Sequence, residues 1–171
     1  MKRRIFAMLL SLAMLFTLAP TAFAAGNGSN GSQSTAMNGT CGATGNGSNV
    51  TWKLTKNNED NKNPTYTLTI SGSGAMKDFE PYSSDGVWQS DAHWYSVLTV
   101  DSKTKRYPVT ALVVGDGITH IGGAAFASLA IPEISFKQNV TSYGAYAYIA
   151  CTAATTVDWT NFSLDTIPAG L

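Results

Sequence analysis

In two short runs, residues 50–54 and 66–70, apolar side chains fall on every second position. Val50, Trp52 and Leu54 alternate with Thr51 and Lys53, and Tyr66, Leu68 and Ile70 alternate with Thr65, Thr67 and Thr69. A period of two sends one set to a buried face and the other to water, which predicts two half-buried strands. The polar run from Asn57 to Asn63, closed by Pro64, joins them into a β-hairpin whose loop exceeds the tightest kind. Gly72-Ser73-Gly74 ends the second strand. From Lys77 to Pro108 no period holds. Phe79, Tyr82, Trp88, Trp94, Tyr95 and Tyr107 are scattered among Pro, Gly, Ser and Asp, and the expectation is an aromatic edge packed on the hairpin, with an exposed loop over Asp101 to Arg106.

From Val109 onward the pattern repeats. Val109, Leu112 and Val114 recur as Ile131, Ile134 and Phe136, and at almost the same interval again as Ala154, Val157 and Trp159. Each of the first two runs precedes a second motif, Ile118-Thr119-His120-Ile121-Gly122 and Val140-Thr141-Ser142-Tyr143-Gly144, then a small residue and an aromatic, Ala125-Phe126 and Ala147-Tyr148. A third copy opens at Leu164-Asp165-Thr166-Ile167-Pro168. One such coil cannot bury its own apolar face, whereas stacked coils share a continuous core, so the period predicts a solenoid of parallel strands. A β-sandwich demands no fixed period. Val109, Ile131 and Ala154 should stack in one column, Phe126 and Tyr148 should point inward, and Gly122 and Gly144 should occupy sharp turns. A third coil without a polar cap leaves a strand edge open, so either self-association through that coil or a fragment of a longer chain is expected.

The first residues have another character. Lys2, Arg3 and Arg4 precede an apolar run from Ile5 to Leu18, interrupted only by Ser11 and Thr17, and Ala22-Phe23-Ala24 follows. The run is too short to span a bilayer, and the small-x-small motif suits signal peptidase, so residues 1–24 read as a cleaved export signal. The mature chain is then expected to be secreted or held at the cell surface, with no membrane span of its own. Residues 25–40, rich in Gly, Asn and Ser, predict a flexible leader, residues 41–108 a β-rich cap region, and residues 109–171 the coils. Loss of the three leading basic residues leaves eight Lys and Arg against eleven Asp and Glu. No concentrated positive face remains, which argues against a nucleic-acid partner.

The coil residues resemble the BspA-type leucine-rich repeats of bacterial surface proteins. Ile131, Ile134, Phe136, Val140, Gly144, Ala147, Tyr148 and Cys151 stand at the repeat positions of that family. Upstream, Cys41-Gly42, Val50 to Leu54 and Leu68 to Met76 resemble the region before its first coil, and His93-Trp94-Tyr95 stands where its members often carry Pro-Trp-Tyr. The similarity covers residues 41–171, with departures at Ser128-Leu129, Tyr143 and Ala154. It implies a mainly β chain, a short leucine-rich-repeat-like solenoid behind a β-hairpin cap. It also implies an exported, non-enzymatic binding or adhesion module facing a host or neighbouring-cell protein or glycan.

Candidate chemistry is sparse. Export permits a disulfide between Cys41 and Cys151, but the two lie in different units and Cys151 holds a packing position, which favours buried free thiols. Asp116 and His120 could be drawn as a metal pair, yet two ligands do not make a zinc site. No G-x-S-x-G segment is present, Cys151 with His120 falls on a packing residue, and Glu59-Asp60 lies in a hydrated loop. Neither catalytic residues nor a cofactor are expected. What remains is the outward side of the strands, where Thr110, Val113, Glu133, Ser135, Thr155, Thr156 and Asp158 form a mildly acidic ladder suited to a protein or glycan. The plainer alternative is that these residues only keep the sheet soluble. Two other functions stay open: the N-terminal module of a larger exported protein or enzyme, and a small secreted hydrolase dependent on His93 or His120.

Overall fold

The computed structural model describes residues 37–59, 62–84, 86–99, 106–162 and 168–170. The expected export signal, residues 25–36 of the leader, Asp101 to Lys105 and the third motif from Leu164 to Ile167 lie outside the described residues. The chain is mainly β. It forms β1 (Asn38–Thr40), β2 (Val50–Lys56), β3 (Tyr66–Gly72), β4 (Gly74–Ala75), β5 (Pro81–Ser84) and β6 (Val87–Ser90), then one helix, α1 (His93–Leu98). Five strands follow: β7 (Val109–Val114), β8 (Ile118–Ile121), β9 (Glu133–Ser135), β10 (Ser142–Tyr143) and β11 (Thr156–Asp158).

The hairpin forms as its alternation predicts. β2 and β3 pair antiparallel with Trp52 opposite Ile70 and Leu54 opposite Leu68. Val50, Trp52, Leu54, Leu68 and Ile70 are buried, while Thr51, Lys53 and Thr55 face solvent. Burial of each large apolar side chain stabilises the fold by about 1.5–3 kcal/mol. The sheet extends on both sides, in the order β1-β2-β3-β7. β1 falls at the end of the expected flexible leader, so residues 38–40 are a strand paired with β2 instead. It can lie there because Gly39 has no side chain: a Cβ would sit 2.7 Å from Trp52 Nε1.

The irregular stretch after β4 yields two elements that no period announced. β5 and β6 form a small antiparallel hairpin. α1 is only six residues long, and buries Trp94, Tyr95 and Leu98. Local side-chain bonds define it: Ser90 Oγ accepts the Ala92 N–H, and the Thr99 hydroxyl donates to the Tyr95 carbonyl where the helix ends. The aromatic edge expected here divides. Phe79, Trp94 and Tyr95 are buried, whereas Tyr82 and Trp88 are exposed.

Trp94 organises the core. Its ring meets Trp52 at 5.9 Å, Phe79 at 5.1 Å and Phe126 at 6.4 Å, and Phe126 meets Tyr148 at 5.3 Å. Phe126 and Tyr148 thus point inward, as the repeat requires. Gly122 and Gly144 are needed for a different reason than a turn. A Cβ on Gly122 would overlap the Lys77 carbonyl, and one on Gly144 would overlap the Gly123 backbone. Neighbouring chain segments approach too closely for any side chain.

The sheets are mixed in sense. β8 pairs parallel with β4 on one side and with β10 on the other, and β9 pairs parallel with β11. Tyr143 stands beside Ile121, and Val157 beside Ile134, so each pairing is offset by one period of the sequence repeat. The expected single column needs two corrections. β7 pairs with β3 and shares no ladder with β9; Val109 on β7 and Ile131, two residues before β9, are both buried, but no ladder joins their segments. In the third copy Val157 and Trp159 are 40% and 49% exposed, because among the described residues β11 is an edge strand with no further strand against it.

Candidate ligand-binding surface

The expected ladder divides into three places. Val113, at the exposed crest of β7, is half accessible. Thr110, Glu133 and Ser135 line an open groove of about 270 Å³ between β7 and β9. Thr155, Thr156 and Asp158 lie beyond it, on and beside β11. The groove also takes in Leu112, Ile134 and Lys137, none of which the outward alternation marks as a contact residue. Alternation tells which side chains face water; it does not tell that two strands stand apart.

Several of these polar groups are already engaged. Thr110 Oγ1 accepts from Asn57 Nδ2 at 3.2 Å, and Asn57 Oδ1 accepts from the Thr67 hydroxyl at 2.7 Å, so the hairpin loop braces the groove wall. Asp158 Oδ1 accepts from the Thr160 hydroxyl at 2.6 Å and the Thr160 N–H at 2.9 Å. Those bonds stabilise the carboxylate and lower its pKa. Asp158 therefore shapes a turn. Glu133 is exposed, and among the described residues it forms no ion pair.

A second polar group gathers on the exposed side of β4, β8 and β10. His120 Nδ1 lies 2.7 Å from Ser142 Oγ, and its Nε2 lies 3.5 Å from Asp78 Oδ1. The parallel register places Ser142 beside His120, a neighbourhood invisible to motif reading because Asp78, His120 and Ser142 are remote in sequence. In a serine hydrolase the acid is buried behind the imidazole. Here the Asp78 side chain is 72% exposed, and its Oδ1 accepts the Gly123 N–H at 2.7 Å. That bond fastens the stretch after β4 to the turn after β8.

His93 is set apart from this row. Its Nε2 lies 3.3 Å from Lys77 Nζ. Burial above all, and then the Lys77 charge, lower its pKa against an opposing pull from Asp91. A neutral ring with Nε2 as acceptor fits that contact. Asp116 does not complete a pair with His120; its carbonyl accepts from Asn139 Nδ2 at 2.8 Å. Among the described residues no three His, Cys, Asp or Glu side chains gather as a metal-ligand group. Cys41 and Cys151 are both buried free thiols. Burial pushes the Cys41 thiol up to about 12, against the nearby Lys77 charge. Cys151 is likewise raised by burial to about 11, opposed by a backbone bond with Leu129. Its Sγ donates to the Phe126 carbonyl at 3.1 Å, a link from the stretch after β10 to the stretch after β8. No protein-family model, curated protein or solved structure matches the chain.

Proposed function

We propose that this chain is an exported, non-enzymatic binding module that takes a protein or glycan ligand on the strand side of its coils. In this reading a short leucine-rich-repeat-like solenoid stands behind a β-hairpin cap, similar to the BspA-type surface proteins, and the mature chain is secreted or held at the cell surface. The observation that carries the reading is the open groove between β7 and β9, where Thr110, Glu133 and Ser135 converge. Parallel pairings offset by one repeat, Ile121 with Tyr143 and Ile134 with Val157, support the stacking of coils. The exposed Val157 and Trp159 support self-association through the third coil.

The test uses the chain from Ala25 onward on a glycan array and against a panel of immobilised host surface proteins. Binding that falls when Glu133 and Ser135 are both replaced by alanine supports the proposal; no ligand on either platform overturns it. Export is tested separately, by sequencing the N terminus of the chain recovered from culture medium, which should begin at Ala25. One observation favours a second reading, a small hydrolase built on the Asp78, His120 and Ser142 row. Ester hydrolysis by the purified chain that disappears in Ser142→Ala would establish it.

A further inference from the structure

The β7–β9 groove is bounded by two strand edges, and their backbone directions say what kind of ligand would fill it. Hydrogen-bonding direction alternates along a strand. The register of β7 on β3 shifts where Val109 and Ala111 stand opposite Tyr66 and Thr67, and is regular from there to Val114. Just past that regular part the Gly115 N–H donates to the Ile70 carbonyl. Its phase turns the N–H and C=O of Leu112 and Val114 away from β3, toward the groove. On β9 the Pro132 carbonyl accepts from the Thr155 N–H, and the Phe136 N–H donates to the Asp158 carbonyl. By the same alternation the backbone groups of Glu133 and Ser135 turn away from β11, into the groove from its other side. β7 and β9 belong to separate sheets, so these two rows do not satisfy each other.

We propose that the groove receives an extended segment of another polypeptide, which inserts as a strand and pairs with β7 on one edge and β9 on the other. This deepens the binding reading above and rests on it. A sugar offers hydroxyls at irregular positions; an extended peptide offers donors and acceptors at a two-residue spacing on both edges, which matches both walls at once. The side chains refine the partner. Glu133 at the start of β9 and Lys137 just past its end both line the groove, and among the described residues neither forms an ion pair. The neighbouring pairings β3·β7 and β9·β11 are parallel. A parallel insert would therefore carry a basic residue early and an acidic one late, with small or β-branched residues between.

The probe is a fluorescein-labelled hexapeptide of threonine and valine with lysine second and glutamate last, titrated into the full mature chain by anisotropy. Binding should weaken about tenfold or more when the central peptide nitrogens are N-methylated, since both edges lose donors. On the protein, Ser135→Pro removes a groove-facing N–H without removing a β9–β11 bond, and should also weaken binding about tenfold. Ser135→Ala, which keeps the backbone donor, should stay within about twofold. Circular dichroism on both variants separates lost binding from lost fold. Equal affinity for the N-methylated probe overturns strand insertion whatever the variants do. Absence of any peptide binding overturns it too, and a glycan bound in the same preparation would leave the wider proposal standing.

Discussion

The repeat makes two lines of strands, and they end differently. Along one line β4, β8 and β10 are bonded edge to edge, with Asp78, His120 and Ser142 in a row on the exposed side. Along the other β9 meets β11, but β7 belongs to the hairpin sheet and a groove intervenes. The period is the same in both. What differs is the room between backbones: the closed line has Gly122, Gly123 and Gly144 where neighbouring segments touch, whereas the open line is walled by Leu112, Val114 and Ile134. A sequence period fixes which side chains share a column. Whether the backbones beside that column bond to each other is decided separately.

The contrast can be broken by substitution. The largest effect is expected from Phe126→Ala, which removes a fully buried ring held between Trp94 and Tyr148. About 3–5 kcal/mol of stability should be lost in urea denaturation. Trp159→Ala on the open side should cost only about 0.5–1.5 kcal/mol, since that ring touches Phe136 and Phe162 but is half exposed. Equal losses would erase the distinction between the two sides.

Gly144→Ala should come next, at about 1–3 kcal/mol by thermal melting, because its new methyl overlaps the Gly123 backbone. Gly115→Ala is the milder comparison, as its Cβ would stand 3.3 Å from the Ile70 carbonyl. Ser142→Ala should cost about 0.5–1.5 kcal/mol, the worth of one hydrogen bond to His120. A far larger loss would make that row a structural keystone.

The smallest effect at neutral pH concerns Cys151, which ties the stretch after β10 to the stretch after β8 through the Phe126 carbonyl. With its pKa raised from 9.0 to about 11, its thiolate is about a hundredfold scarcer than in an ordinary thiol, and a disulfide reagent should modify it correspondingly slowly until the chain unfolds. The folded state holds this proton, and that of Cys41, more tightly than the unfolded state does. Stability is therefore complete below about pH 9 and declines as the pH rises toward 11 and 12. Cys41→Ser and Cys151→Ser should remove the thiol part of that decline, leaving the part from Tyr95, Tyr143 and Tyr148, whose pKa values burial also raises.

The strands β2 and β3 were legible because a period of two leaves no other placement for Val50, Trp52, Leu54, Leu68 and Ile70. The inward Phe126 and Tyr148 were legible because the repeat assigns them one role. α1 was not, since six residues cover fewer than two helical turns and its aromatics are adjacent rather than spaced. β1 was hidden by composition: glycine reads as flexibility, yet Gly39 is what lets the chain cross the face of Trp52. Of the candidate surface, Glu133 and Ser135 were legible as outward residues of β9. The groove was not, because the period does not say whether the free edge of β7 bonds to β9.

Trp94 carries a final consequence. Because one indole lies against Trp52 and Phe79 on its own side of residue 108 and against Phe126 on the other, the change of pattern at Val109 is not a seam in the folded protein. Expressing residues 41–108 or 109–171 alone would expose half of that aromatic joint. The two stretches should melt in a single cooperative transition, and neither should be a self-sufficient folding unit.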